Sequence, residues 1–221
     1  VALADVAGVQ GGVFTLTVTD ASLAMGPVTH QALFRLNYDI RPNGSAFDDV
    51  EAPMSQWTSA SDPNGATGSN FRIFQSTATE HFWFGPNPAS PADTWLISPP
   101  LAVGGGNFVV TFKHRWDFER SNTENFDGAV VEVSTDGRTW TDVGASARPG
   151  YNGTLSTSSN QSANPLRGRM AYVAKSAGYP AFVTETIDLG TRYSGQTVRF
   201  RFRIGADDAA AAKGWEIDDI R

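Results

Sequence analysis

The chain has 221 residues, of which 40% are apolar and 18% charged, enough for one globular domain with a buried core or for a domain plus a fragment of a neighbour. A net charge of −6 disfavours a polyanionic partner such as nucleic acid, and the absence of cysteine excludes disulfides, thiolate metal sites and a cysteine nucleophile. No stretch approaches the roughly 20 apolar residues of a membrane helix, so membrane insertion is not expected.

Apolar alternation with period two recurs along the sequence, and helical periodicity does not. It is first seen at 13–19, where Val13, Thr15 and Thr17 are offset from Phe14, Leu16 and Val18, and again at 30–40. The segment 41–45 then separates these two strands from everything that follows. Residues 1–44 are therefore read as N-terminal strands and linker, either the tail of an upstream β domain or accessory strands. The main domain is placed at 45–221. Within it, strands are expected at 69–75, 80–85, 94–98, 107–116, 128–134, 139–143, 169–174, 181–189, 197–204 and 215–220. Short strands separated by Gly, Pro, Asn and Asp clusters argue for an all-β sandwich of two antiparallel sheets. The alanine run at 207–213 is too short for an independent helix and is expected to be a loop or single turn. The stretch 148–168, rich in Gly, Ser and Asn, is a long loop of the kind that carries function.

Two faces invite a chemical reading. Arg199, Arg201 and Arg203 share one face of a strand, as a solvated face or as a stripe for carboxylates. In Phe82-Trp83-Phe84 consecutive aromatics must face both sides, so one is exposed or loop-covered; sheet packing or sugar stacking would follow. Ser134-Thr135-Asp136-Gly137-Arg138-Thr139-Trp140 reads as a tight hairpin resembling an Asp-box turn, with a structural role.

Catalytic signatures are missing. No zinc-peptidase, nucleophile-elbow or phosphate-loop motif occurs, and His30, His81 and His114 are isolated in sequence. Glu216-Ile217-Asp218 resembles the catalytic core of jelly-roll β-glucanases, but that pattern needs a second Glu just beyond the Asp, and Asp219-Ile220-Arg221 follows instead. Adjacent Asp side chains on a strand point to opposite faces, so Asp218 and Asp219 cannot supply the carboxyl pair, about 5–5.5 Å apart, of a retaining glycosidase. A glycan-active enzyme, hydrolase or lyase, with Glu132 or Glu216 as its carboxylate is the alternative to a binding module.

The acidic residues suit a hard cation better. Asp48, Asp49 and Glu51 open the main domain, and Asp218 and Asp219 close it. In a jelly roll the first and last strands are neighbours, so these clusters could share a structural calcium, which takes six to eight oxygen ligands. Solvated acidic caps are the other reading. Asp127 is a further candidate ligand, Asp207 and Asp208 are weaker ones, and Asp117 and Glu119 are plausible neighbours of Asp127. Abundant Gly, Pro and Asn with an excess of Asp over Glu fit a calcium-binding, exported β protein. The opening Val1-Ala2-Leu3 reads as a fragment or a mature form.

The order of Phe47-Asp48-Asp49-Val50-Glu51, Trp57, the Leu96-Ile97-Ser98-Pro99 run, His114 to Glu119, Asp127-Gly128, and Gly214-Trp215-Glu216-Ile217-Asp218-Asp219-Ile220 resembles a known family over 45–221. It is similar to the MAM-like and cleaved-adhesin jelly rolls, as found at the C-terminal ends of secreted bacterial metallopeptidases of the immune inhibitor A and fungalysin types. The resemblance implies a non-catalytic accessory domain of a peptidase or surface protein, binding extracellular protein or glycan or positioning its parent. It also implies calcium held by Glu51 and Asp218, with Asp219 the alternative to Asp218. No catalytic domain accompanies these motifs, so peptidase activity does not carry over.

Overall fold

The computed structural model describes residues 10–19, 27–36, 47–51, 55–65, 68–158 and 163–221. The chain divides into two compact units, Val1–Ser45 and Ala46–Arg221. In the first, β1 (Gln10–Val18) and β2 (Val28–Leu36) form one antiparallel ladder, from Gln10 opposite Leu36 to Val18 opposite Val28. Residues 37–40, expected to continue the second strand, and the 41–45 separator lie outside the described residues.

The larger unit contains β3 (Thr58–Ser61), β4 (Arg72–Gln75), β5 (His81–Asn87), β6 (Ala92–Ile97), β7 (Leu101–Ala102), β8 (Val109–Asp117) and β9 (Gly128–Ser134). It continues with β10 (Thr141–Asp142), β11 (Ala147–Arg148), β12 (Gly153–Thr154), β13 (Met170–Val173), β14 (Val183–Asp188), β15 (Thr197–Ala206) and β16 (Ala212–Asp218). One sheet runs β12-β13-β9-β15-β6-β3, with β10 added to β9 and β7 to β15. The other runs β11-β14-β8-β16-β5-β4. The strand pairs are antiparallel, and the unit is the expected jelly-roll β-sandwich.

Alternation explains which residues enter the core. In β8, Val110, Phe112, His114 and Trp116 are buried, while Lys113 and its alternate neighbours face outward. Across the sandwich, Phe112 and Trp215 lie 4.9 and 5.3 Å from the ring of Phe202 on the opposite sheet. Strand β9 departs from the rule, with all seven residues buried. Its outward Val130 packs with Leu155, Leu166, Ala171 and Val173 in a second apolar cluster, because Leu155 and Leu166 from the 148–168 stretch cover that face.

The alanine run is loop leading into β16, and no α-helix occurs among the described residues. The register of β16 on β5 shifts between Ala212 and Gly214, and Gly214 sits at φ +107°. A Cβ there would stand 2.1 Å from the Gly85 carbonyl oxygen, so only glycine fits this bulge.

Candidate functional site

The two ends of the larger unit meet. Asp48 and Ile220 exchange backbone hydrogen bonds of 2.8 and 2.9 Å. This pairing gathers Asp49, Glu51, Asp218 and Asp219 around one open cavity with Glu80, Lys113, Phe47 and Phe182. The carboxylates there already have partners. Glu51 accepts hydrogen bonds from the His81 backbone N–H and from its Nδ1, both at 2.7 Å, and these hold its carboxyl below the usual range. Lys113 Nζ lies 2.6 Å from Asp219 Oδ2. Asp218 is different: burial pushes it up to about 6, with the neighbouring charges of Asp219, Glu80 and Glu51 adding to the shift against a hydrogen bond from the Asp219 N–H.

That shift has a sign. Asp218 binds its proton more tightly folded than unfolded, so its contribution to stability is fully present at low pH and is lost as pH rises through about 6. The variant D218N therefore gains stability relative to wild type between about pH 4 and about pH 7 in chelator. Paired urea titrations at the two pH values measure it; a constant gap contradicts it.

Asp127 is not part of the chain-end group. Among the described residues it converges with Glu119 and Asp207, one oxygen of each lying within 4.8 Å of the others. Each comes from a strand end: Glu119 follows β8, Asp127 precedes β9 and Asp207 follows β15. Asn87, the last residue of β5, braces them. Its Nδ2 donates to Asp127 Oδ2 at 2.6 Å, and its Oδ1 accepts the Glu119 N–H at 3.1 Å. The Asp207 N–H donates to Asp127 Oδ1 at 2.8 Å.

Asp127, Asp207 and Asn87 are buried, at 0%, 1% and 2% exposure. Glu119 Oε2 and Asp207 Oδ2 are buried with no hydrogen-bond partner. Burial pushes Asp127 up to about 7 and also raises Glu119 and Asp207, with negative neighbours adding to all three shifts. This set fits a hard cation: its donors are all oxygen, two of them are buried without a hydrogen-bond partner, and no Lys or Arg pairs with them among the described residues. The chain-end set fits less well, because Glu51 and Asp219 are engaged by His81 and Lys113. The sequence pointed to Asp127 with Glu119 as a plausible neighbour, and to Asp207 only as a weaker, separate candidate, and it missed Asn87, whose amide carries no charge signal. Asp117 instead pairs with Lys175 at 3.1 Å, and Asp208 is exposed.

The candidate catalytic carboxylates are both neutralised. Glu132 lies on the outer face of the larger sheet, 2.6 Å from Arg201 Nε, 2.8 Å from Arg169 and 3.7 Å from Arg203. Burial acts to raise its pKa, but the Arg201 and Arg169 guanidinium groups outweigh that and hold it below the usual range. Arg201 in turn lies 4.1 Å from the Trp140 ring centre, and Arg203 grips Asp93 with two bonds of 2.7 Å. Two arginines of the stripe, Arg201 and Arg203, thus belong to a charge network with their own carboxylates, while Arg199 donates to the Ser98 carbonyl at 3.2 Å. Glu216, 3% exposed, pairs with Arg115 and lies 3.6 Å from Lys213. It sits on the other sheet, so the two glutamates cannot form a catalytic pair.

The aromatic triplet divides as its alternation requires. Trp83 enters the core, while Phe82 and Phe84 lie on the outer face under Phe74, Phe182 and the cations of Arg72, Arg115 and Lys213. His114 is fully buried: its Nδ1 accepts from Trp215 Nε1 at 3.1 Å, which leaves the proton on Nε2, 3.6 Å from Glu185. Burial pushes the His114 pKa down, against the nearby Glu185 carboxylate. Glu185 also accepts from the Tyr172 hydroxyl and the Gly150 N–H. This polar network leaves no signature in the residue pattern.

No protein-family model matches the chain, and no curated protein matches it. Solved structures do. The TmCBM61 module in complex with β-1,4-galactotriose is 11% identical, with a TM-score of 0.40 over 75% of this chain and 86% of that one. A structure described as showing the promiscuous specificity of carbohydrate-binding modules of the β-sandwich superfamily is 11% identical, with a TM-score of 0.41 over 96% and 74%. A cleaved adhesin domain of Lys-gingipain from Porphyromonas gingivalis is 15% identical, with a TM-score of 0.36 over 75% and 96%.

Proposed function

We propose that the larger unit is a non-catalytic, calcium-stabilised binding module of an exported protein, an accessory to a secreted peptidase or a surface protein, presented to extracellular protein or glycan. The observation that carries this reading is the state of Glu132 and Glu216. A glycoside hydrolase on this fold needs two carboxyls facing one substrate, one of them able to hold a proton near neutral pH. Here each candidate is nearly buried and bound to cations, they lie on opposite sheets, and Glu132 is held below the usual carboxylate range. Calcium is supported by buried carboxylate oxygens that no cationic side chain meets among the described residues.

A turnover screen on β-glucans and alginate tests the non-catalytic reading. No product is expected from the wild-type chain. Product release abolished by E132Q or E216Q would establish the glycan-active alternative in its place.

A further inference from the structure

We propose that Glu119, Asp127 and Asp207 bind one calcium ion that fastens the two sheets together at one end of the sandwich. This rests on the calcium part of the reading above and gives it a site distinct from the chain-end acids.

Three carboxylates whose oxygens lie within 4.8 Å of one another repel strongly when ionised away from water. Proteins answer such a cluster with a cationic side chain, a shared proton or a metal. No cationic side chain pairs with these three among the described residues. A shared proton leaves unexplained why Glu119 Oε2 and Asp207 Oδ2 are both buried without a partner, since a buried acceptor left unmade is costly. A cation removes both difficulties.

Asp207 is the decisive residue. It is 1% exposed, its Oδ1 accepts the Ala209 N–H at 2.8 Å, and Oδ2 is left unpartnered among the acids. Asp127 is held in place by Asn87 and by the Asp207 N–H, so the donors are set before any ion arrives. The donor chemistry selects the ion. Neither His nor Cys belongs to the group, which disfavours zinc. Irregular loop ends, able to add backbone carbonyls and water, suit the flexible shell of calcium better than the strict octahedron of magnesium.

The supporting strands give the ion its mechanical role. Asn87 and Glu119 extend from β5 and β8 of one sheet, and Asp127 and Asp207 from β9 and β15 of the other. The long loop is tied to the same place. Asn164 Nδ2 donates to the carbonyls of Phe126 and Gly205 at 2.7 and 3.1 Å, beside Asp127 and Asp207.

Calorimetric titration of calcium chloride into the chelator-stripped full chain tests the site, with D207N and E119Q as conservative variants on two different loops. Wild type should bind, and each variant should lose at least about tenfold in affinity, while E51Q and D218N keep wild-type affinity. In chelator, D207N and E119Q should melt at or above the wild-type temperature, because D207N removes a buried charge and E119Q a half-buried one, neither paired with a cation among the described residues; this separates a lost ligand from a damaged fold. Wild-type affinity in both D207N and E119Q overturns the site. If E51Q or D218N abolishes binding instead, the ion belongs to the chain ends and the calcium reading survives without this site. Absence of binding to wild type removes the calcium altogether and leaves the non-catalytic reading to the turnover screen.

Discussion

Replacing Trp215 by Ala should cost about 3–5 kcal/mol of unfolding free energy and lower the melting temperature by roughly 6–20 °C. Trp215 is fully buried on β16, and its ring centre lies 5.3 Å from Phe202, 5.6 Å from Tyr172 and 6.5 Å from Phe71. Truncation removes apolar contact with both sheets and leaves a cavity that ladders on either side of β16 prevent from collapsing. It also strips His114 Nδ1 of its donor on a fully buried side chain. Trp215→Phe keeps most of the volume but loses that hydrogen bond, so it should cost less than Trp215→Ala. Urea unfolding of the three proteins checks the order; equal stability of wild type and Trp215→Ala would contradict the placement of Trp215 at the centre of the core.

Glu132→Ala should be comparably damaging, at about 3–5 kcal/mol, for an electrostatic reason. Glu132 is 3% exposed and Arg201 8%, so removing the carboxylate leaves a buried guanidinium without its anion while Arg169 and Arg203 lose a shared partner. Glu132→Gln restores shape without charge and should recover little. Replacing Glu132 and Arg201 together by Met should recover part of the loss, because the unpaired charge on Arg201 is gone. The same series separates structural from catalytic roles. Active-site acids are commonly a burden on stability, and their removal is neutral or stabilising. A Glu132→Ala protein as stable as wild type would therefore revive the glycan-active alternative.

The strands were legible in the sequence wherever one face of a sheet is wet. In β8 the apolar residues from Val110 to Trp116 alternate with polar ones, and the structure buries them in that rhythm. In β15 the arginine stripe marked the outer face, but its partners could not be read, since Glu132 and Asp93 arrive from β9 and β6. Strand β9 was legible at 128–134, but the burial of its outer face was not, because the cover comes from Leu155 and Leu166 in a segment with little periodicity of its own. The meeting of the chain ends at Asp48 and Ile220 followed from acidic clusters at both termini of a jelly roll. The convergence of Glu119, Asp127 and Asp207 did not follow in that way. Their positions are set by where β8, β9 and β15 stop, and strand ends are the features that hydrophobic patterning defines least well.

Thermal melting of the full chain in calcium and in excess EGTA tests most directly whether a cation belongs to the folded state. A ligand at about a hundred times its dissociation constant adds about 2.7 kcal/mol, so the melt in EGTA should fall by roughly 5–10 °C. Superimposable melts in the two buffers would contradict it.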